Sequence, residues 1–487
     1  MDVPSVSGTL RLTCLWAVLI GAVCSAQVDP AALRSAFAPT DRPGEAFERR
    51  TVALDAVKTV DDAEVARELI AAWQRVDAEL RAVERERGRP ARNLMPSITE
   101  MEQRGSLDAG LRLTGRIEDL LAHAEGEACT AVIDALFDTH LPTALRAALA
   151  PSASRLHTSL AQVTRVLAAA KRTDDLWIAL RALRALGRRT PDCHADLVRA
   201  LSDPVTVVRA EAMHAIVAVE DRSAVPRMLD RLSVEKGRTL DALGAALELL
   251  TGERLGTAEP SWRAWWSADG EAFLAGAPRK VAPRRTTARS ATQGGFFGIP
   301  QDGRSILFVV DASDSMGNRM GRNDGRTRWD ACVAELDKAI EALGADRSFS
   351  ILVFAQRVRI WRNRPVRADA ANVAAARNWI ADLDLELGTA TFEAFEVATQ
   401  VAGPSIEDRY FEAAIDTICF LSDGRPTVRR ADQPRSLDPD DPLLTRRLVA
   451  RRDPLGAIRV DTVSLGRSGA AFMRKLAAEH GGRCVVR

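Results

Sequence analysis

The sequence predicts a chain of unlike parts: an all-α N-terminal region that ends in an α-solenoid, and a C-terminal α/β region built on a doubly wound, mostly parallel sheet. Three patterns predict it. Apolar residues recur at three- and four-residue spacing through the first part of the chain. A segment that repeats with a period of about thirty residues follows. From Arg304 onward, β-branched runs alternate with amphipathic helical stretches, the texture of strands buried on both faces between helices.

The chain opens with Arg11 ahead of the apolar stretch Leu12–Val23, followed by the small residues of "CSAQ". This reads as an export signal over 1–26, cleaved after Ala26; the run is short for a spanning helix. An uncleaved anchor and a lipidated Cys24 are the alternatives. No later segment reaches transmembrane length. Residues 27–150 read as helical. In "DDAEVARELIAAWQRVDAELRAVERER", Asp61 and Asp62 favour a helix start, and Val65, Leu69, Trp73, Val76 and Leu80 form one stripe.

Residues 151–274 carry the repeat. "IALRALRAL" from Ile178, "VRAEAMHAI" from Val208 and "TLDALGAAL" align. Ala182, Ala212 and Ala242 share a column, as do Leu183, Met213 and Leu243, and Ala185, Ala215 and Ala245. In the middle unit, Asp203-Pro204 turns the chain, Val208–Val217 is a first helix and Ala224–Leu232 a second. The unit resembles a HEAT-type repeat; an ordinary helical bundle is the alternative. Trp262, Trp265 and Trp266 then read as an apolar cap. Residues 275–302, rich in Pro, Ala, Arg and Gly, read as a flexible basic linker.

Residues 303–487 supply the sheet. Strands are expected at "SILFVV", "SFSILVFA", "VRIW", "AIDTICFLS", "IRVDTVSL" and "RCVV". Helices are expected at "RWDACVAELDKAIEALG", Ala370–Leu383, Phe392–Ala402, Leu443–Ala450 and "GAAFMRKLAAEH". In such sheets ligands bind at the carboxyl ends of strands near a switch in strand order. Asp311 follows the first strand, Asp423 follows "TICFLS", and Thr389 lies in a turn before a helix.

This region resembles the von Willebrand factor A domain with its metal-ion-dependent adhesion site. Asp311, Ser313 and Ser315 match its Asp-x-Ser-x-Ser motif, Gly388-Thr389 its threonine, and Ser422-Asp423-Gly424 its last aspartate turn. The resemblance implies a Mg²⁺ (or Mn²⁺) site made by Asp311, Ser313, Ser315, Thr389 and Asp423. It also implies a recognition module that takes a partner's Asp or Glu as the last metal ligand. Hard oxygen donors suit that chemistry. Asp314 stands where the family often has Gly, and its side chain is expected to face solvent. Thr391 has a supporting role. The combination of parts resembles exported bacterial proteins, especially planctomycete-type ones, that carry HEAT-like repeats before such a domain.

Composition narrows the function. Lys+Arg 67 against Asp+Glu 66 gives no global charge for nucleic acid. After the signal, Cys129, Cys193, Cys332, Cys419 and Cys484 are scattered, so no disulfide framework or zinc site is expected, and Cys332 and Cys419 read as small buried hydrophobes. The expected function is an exported, divalent-metal-dependent protein- or ligand-binding protein, not an enzyme, with no stable membrane span. Arg319, Arg322, Arg326, Arg328, Arg425, Arg429 and Arg430 flank the site and favour an acidic protein ligand. A metal-assisted hydrolase is one alternative, although the six histidines fall outside the motifs and GxSxG, HExxH and P-loop patterns are missing. A cytoplasmic assembly factor partnering a chelatase or ATPase is the other.

Overall fold

The computed structural model describes residues 28–39, 43–88, 96–188, 192–276, 295–321, 324–403 and 414–487. The expected signal segment, Arg322 and most of the linker lie outside them. Helix α1 (Ala63–Arg87) starts where Asp62 accepts hydrogen bonds from the Glu64 and Val65 amides, at 2.7 and 3.0 Å. Its stripe of Val65, Leu69, Trp73, Val76 and Leu80 is buried against α2 (Ile98–Leu121), which opens with a Ser97/Glu100 capping box. Gly110 lets the two helices approach, since a Cβ there would fall 2.4 Å from Leu80 Cδ2.

In the repeat region, α3 (Thr173–Leu186), α4 (Thr206–Ala218) and α5 (Gly237–Thr251) stack in order, and Val225–Arg231 is the second helix of the middle unit. Leu183, Met213 and Leu243 are fully buried, as expected for one column. The Ala185–Ala215–Ala245 column fades: Ala215 is buried, Ala185 half-buried and Ala245 exposed. Trp262 is fully buried and packs edge-on against Trp265, capping the array. No helix among the described residues is long and apolar enough to cross a membrane.

The C-terminal sheet contains β1 (Ser305–Asp311), β2 (Ser348–Phe354), β3 (Val358–Ile360), β4 (Val366–Arg367), β5 (Thr417–Ser422), β6 (Arg459–Ser464) and β7 (Cys484–Val486). Their order is β7-β6-β5-β1-β2-β3, with β4 also on β2. Pairs among β1, β2, β5, β6 and β7 are parallel, whereas β3 and β4 run antiparallel to β2. Alternation along β1 feeds two cores. Leu307 and Val309 share one with α6 (Thr391–Ala402) and α7 (Pro442–Arg452), the face on which the helical region docks. Ile306, Phe308 and Val310 share the other with Cys332, Leu336 and Ile380. Cys332 and Cys419 are buried among apolar neighbours.

Three segments depart from expectation. Residues 295–300, assigned to the linker by composition, form a β-hairpin whose Phe296 packs edge-on against Phe308, so the α/β unit begins before Gly303. The two arginine-rich segments expected as loops are also hairpins, Arg319–Gly321 with Asp324–Thr327 and Thr427–Arg430 with Gln433–Pro439. In each, cross-strand main-chain bonds override a polar composition with no apolar alternation.

Candidate metal centre

Strand order turns around at β1, which lies between β2 and β5. The carboxyl ends of β1 and β5 are therefore neighbours at the switch point. Asp311 is the last residue of β1 and Ser422 the last of β5. Asp311 is fully buried. Its Oδ1 accepts from the Ser313 amide at 2.8 Å and its Oδ2 from the Ser422 hydroxyl.

Beyond Asp311 the chain makes a 3₁₀ turn, Asp314–Gly317, pinned by the buried Met316. This turn brings Ser313 Oγ and Ser315 Oγ to 3.0 Å from each other. Ser315 Oγ donates to Asp423 Oδ1 at 2.7 Å. A continuous polar chain thus joins Ser422, Asp311, Ser313, Ser315 and Asp423. Asp314 is exposed, as expected.

Thr389 reaches the same edge on a separate loop. The Glu386 amide donates to Ala312 O at 2.9 Å and the Asp314 amide to Glu386 O at 2.8 Å, stitching this loop to the Asp311 turn. Gly388 turns the chain at φ +85°, where a side chain is disfavoured. The Thr389 amide then donates to Thr427 Oγ1 at 2.8 Å, and the Thr427 amide to Thr389 O at 2.9 Å. Thr389 Oγ1 lies 3.8 Å from where a Cβ on Gly424 would stand, so its hydroxyl faces the Asp423 turn. Thr391 is buried at the start of α6, with its amide on Thr389 O at 2.8 Å.

All five sequence-predicted residues therefore meet at one edge. Burial pushes the Asp311 carboxyl up to about 6, the Ser422 and Ser313 hydrogen bonds pull it back, and Asp423 pushes it further up. Among the described residues, no guanidinium or ammonium is a hydrogen-bond partner of Asp311. Asp423 differs: Arg328 forms a short ion pair with its Oδ2 and reaches Ser315 O at 3.4 Å. Arg328 is thus an internal partner of the site, not a rim arginine as expected. Sequence reasoning also missed the Ser422 clamp on Asp311, the Thr427 clamp on Thr389, and Arg357, which holds Glu386 at 2.7 Å. Only Ser422 had a readable signal, because it ends a strand beside Asp423.

The donor set fits a hard divalent cation. Two carboxylates and three hydroxyls are oxygen ligands of the kind Mg²⁺ and Mn²⁺ take. Among the described residues, no three His, Cys, Asp or Glu side chains gather as a metal cluster, so the hydroxyls are essential to any cation held here.

Comparison with known proteins places this edge in a known domain family. The von Willebrand factor type A domain profile matches residues 306–425, a span that contains all five residues. Residues 306–425 are a von Willebrand factor type A domain. The A-domain region is similar to human inter-alpha-trypsin inhibitor heavy chain H4, with 32% identity over 181 residues, covering 37% of this chain and 18% of that protein. Human heavy chain H2 is 30% identical over 127 residues, covering 26% of this chain and 12% of that protein. The chain thus spans less than a fifth of these curated relatives. Among solved structures, a von Willebrand factor type A protein from Catenulispora acidiphila matches with a TM-score of 0.30 and 20% identity, over 38% of each chain.

Proposed function

We propose that this is an exported binding protein whose A domain takes Mg²⁺ or Mn²⁺ and through it grips an acidic group on a protein partner. The observation that carries the reading is Asp311, a fully buried carboxylate surrounded by hydroxyls and an amide instead of a cation. Ionising such a group is costly unless a positive charge compensates it. Asp311 and Asp423 would hold the metal together with Ser313, Ser315 and Thr389. A bound divalent ion supplies a Lewis-acidic position for a partner's carboxylate. The rim suits an acidic ligand: Arg319, Arg326 and Arg425 are exposed around it. Arg429 instead donates to Gln356 at 2.9 Å, and Arg430 lies 3.8 Å from Asp438. Leu387, 60% exposed beside Thr389, adds an apolar contact.

Binding rather than turnover is favoured because the site's carboxylates are committed to hydrogen bonds and its other side chains are hydroxyls and Arg328. Export rests on the Leu12–Val23 segment, and mature protein beginning at Gln27 in the exported fraction would support it. The metal reading is tested by calorimetry with Mg²⁺ and Mn²⁺ on the full chain and on Asp311→Ala. We expect saturable binding in the parent, at least roughly a hundredfold weaker in the variant. Equal heats from both proteins would sink it.

A further inference from the structure

Away from the candidate metal edge, the repeat helices and the A domain line a cleft of about 580 Å³. That size and its place at a domain junction are those of a small-molecule site. One wall comes from equivalent positions of successive repeats. Trp177, Arg181 and Arg184 on α3 are followed one repeat later by Glu211 and His214 on α4. The opposite wall comes from α2 and from the segment after α7.

The charges on the repeat wall do not balance. Arg181 Nη1 and Arg184 Nη1 both turn to the one Glu211 carboxylate, each at 3.4 Å, and His214 Nδ1 lies 3.6 Å from it. Well-formed charge-assisted bonds are about 2.7–2.9 Å long, so Glu211 holds these guanidinia loosely. Each guanidinium has further N–H donors, and among the described residues the Nε and Nη2 groups of Arg181 and Arg184 meet no hydrogen-bond acceptor. Trp177 lies beside Arg181 as an apolar surface, with the guanidinium 5.7 Å from the ring.

One feature across the cleft points the same way. Burial in this junction pushes the Glu118 carboxyl up to about 7, so near neutral pH it offers a proton to an oxygen acceptor.

We propose that this cleft binds a small organic anion, a carboxylate or phosphate monoester on an apolar body, with the anionic group held by Arg181 and Arg184. The body would lie along Trp177, and a polar end would reach toward Glu118. Such a ligand would touch both the repeats and the A domain.

The test is calorimetry and thermal shift on the full chain with succinate, phenylacetate and phenyl phosphate, and with phenylacetamide as the neutral control. We expect at least one anion to bind saturably and the amide to bind roughly tenfold more weakly or less. Whether the carboxylates or the phosphate ester binds identifies the oxyanion. Arg181→Gln combined with Arg184→Gln should weaken binding by at least roughly tenfold. Ala210→Trp, which fills the cleft and keeps its charges, should do the same. Asp311→Ala should leave it unchanged. The proposal is overturned if no anion saturates by about 10 mM, or if binding survives both cleft variants in proteins that melt like the parent.

Discussion

The junction between the helical region and the A domain and the candidate metal edge beside it both bury carboxylates, but they compensate them differently. At the junction, Arg104 of α2 is buried, with Nε on Asp108 at 2.7 Å, Nη1 on Glu393 at 2.5 Å and Nη2 on Asp440 at 2.7 Å. Its guanidinium also stacks 3.6 Å from the Phe392 ring centre. Arg87 of α1 holds the fully buried Glu396 of α6 at 3.0 Å. Each of these acids has a cation from the chain. At the metal edge Asp311 has only dipoles. Glu118 shows a third solution: its carboxyl accepts from Trp73 Nε1 at 2.8 Å and is raised by burial far enough to hold its proton. A fixed guanidinium makes a structural charge, a proton makes a pH-dependent one, and a ring of hydroxyls leaves compensation to something that can come and go.

The harshest way to break this contrast is Arg104→Ala. It leaves Asp108, Glu393 and Asp440 facing one another without their cation, and we expect a cost of about 3–5 kcal/mol in urea unfolding. A loss under about 1 kcal/mol would mean water reaches these acids freely. Next is Glu118→Gln. Because the folded carboxyl titrates near 7 against 4.5 for an unburied glutamate, its stabilising contribution is complete below about 4.5 and is lost as pH rises through 7. The parent should lose about 2–3 kcal/mol between pH 4.5 and 8 that Glu118→Gln does not lose, read by melting at both pH values. Arg447 and Arg451 oppose this shift and Asp119 adds to it. The smallest effect is at the metal edge itself. Arg328 neutralises Asp423, so Arg328→Gln should tighten Mg²⁺ binding, on the order of tenfold by calorimetry. Weaker binding would recast Arg328 as the group that orients Asp423.

Much of this was readable in the sequence where one residue's environment follows from its neighbours. The β-branched runs became strands within a few residues of the expected ends. Asp311, Ser313, Ser315, Thr389 and Asp423 converged because each sits where a strand or turn stops. The rest depends on partners far apart in the chain. Arg104 and Asp440 are separated by 336 residues, and nothing local distinguishes Arg104 from the other arginines of α2. Arg328 read as one of many rim arginines until the fold set it against Asp423. Residues 295–300 looked like linker because a two-residue strand has no period, and their order comes from Phe296 burying itself beside Phe308.

Helix α6 carries a consequence for how such domains travel between proteins. Thr389 sits two residues before it, while Glu393 and Glu396 on its first turns are matched to arginines of α1 and α2. An A domain transplanted without those arginines would keep its Asp-x-Ser-x-Ser, threonine and aspartate motifs intact and yet leave Glu393 without Arg104 and Glu396 with only Arg452, 3.9 Å away, directly behind the threonine loop. Separating the helical region from the A domain at this seam is therefore expected to cost stability on both sides of it.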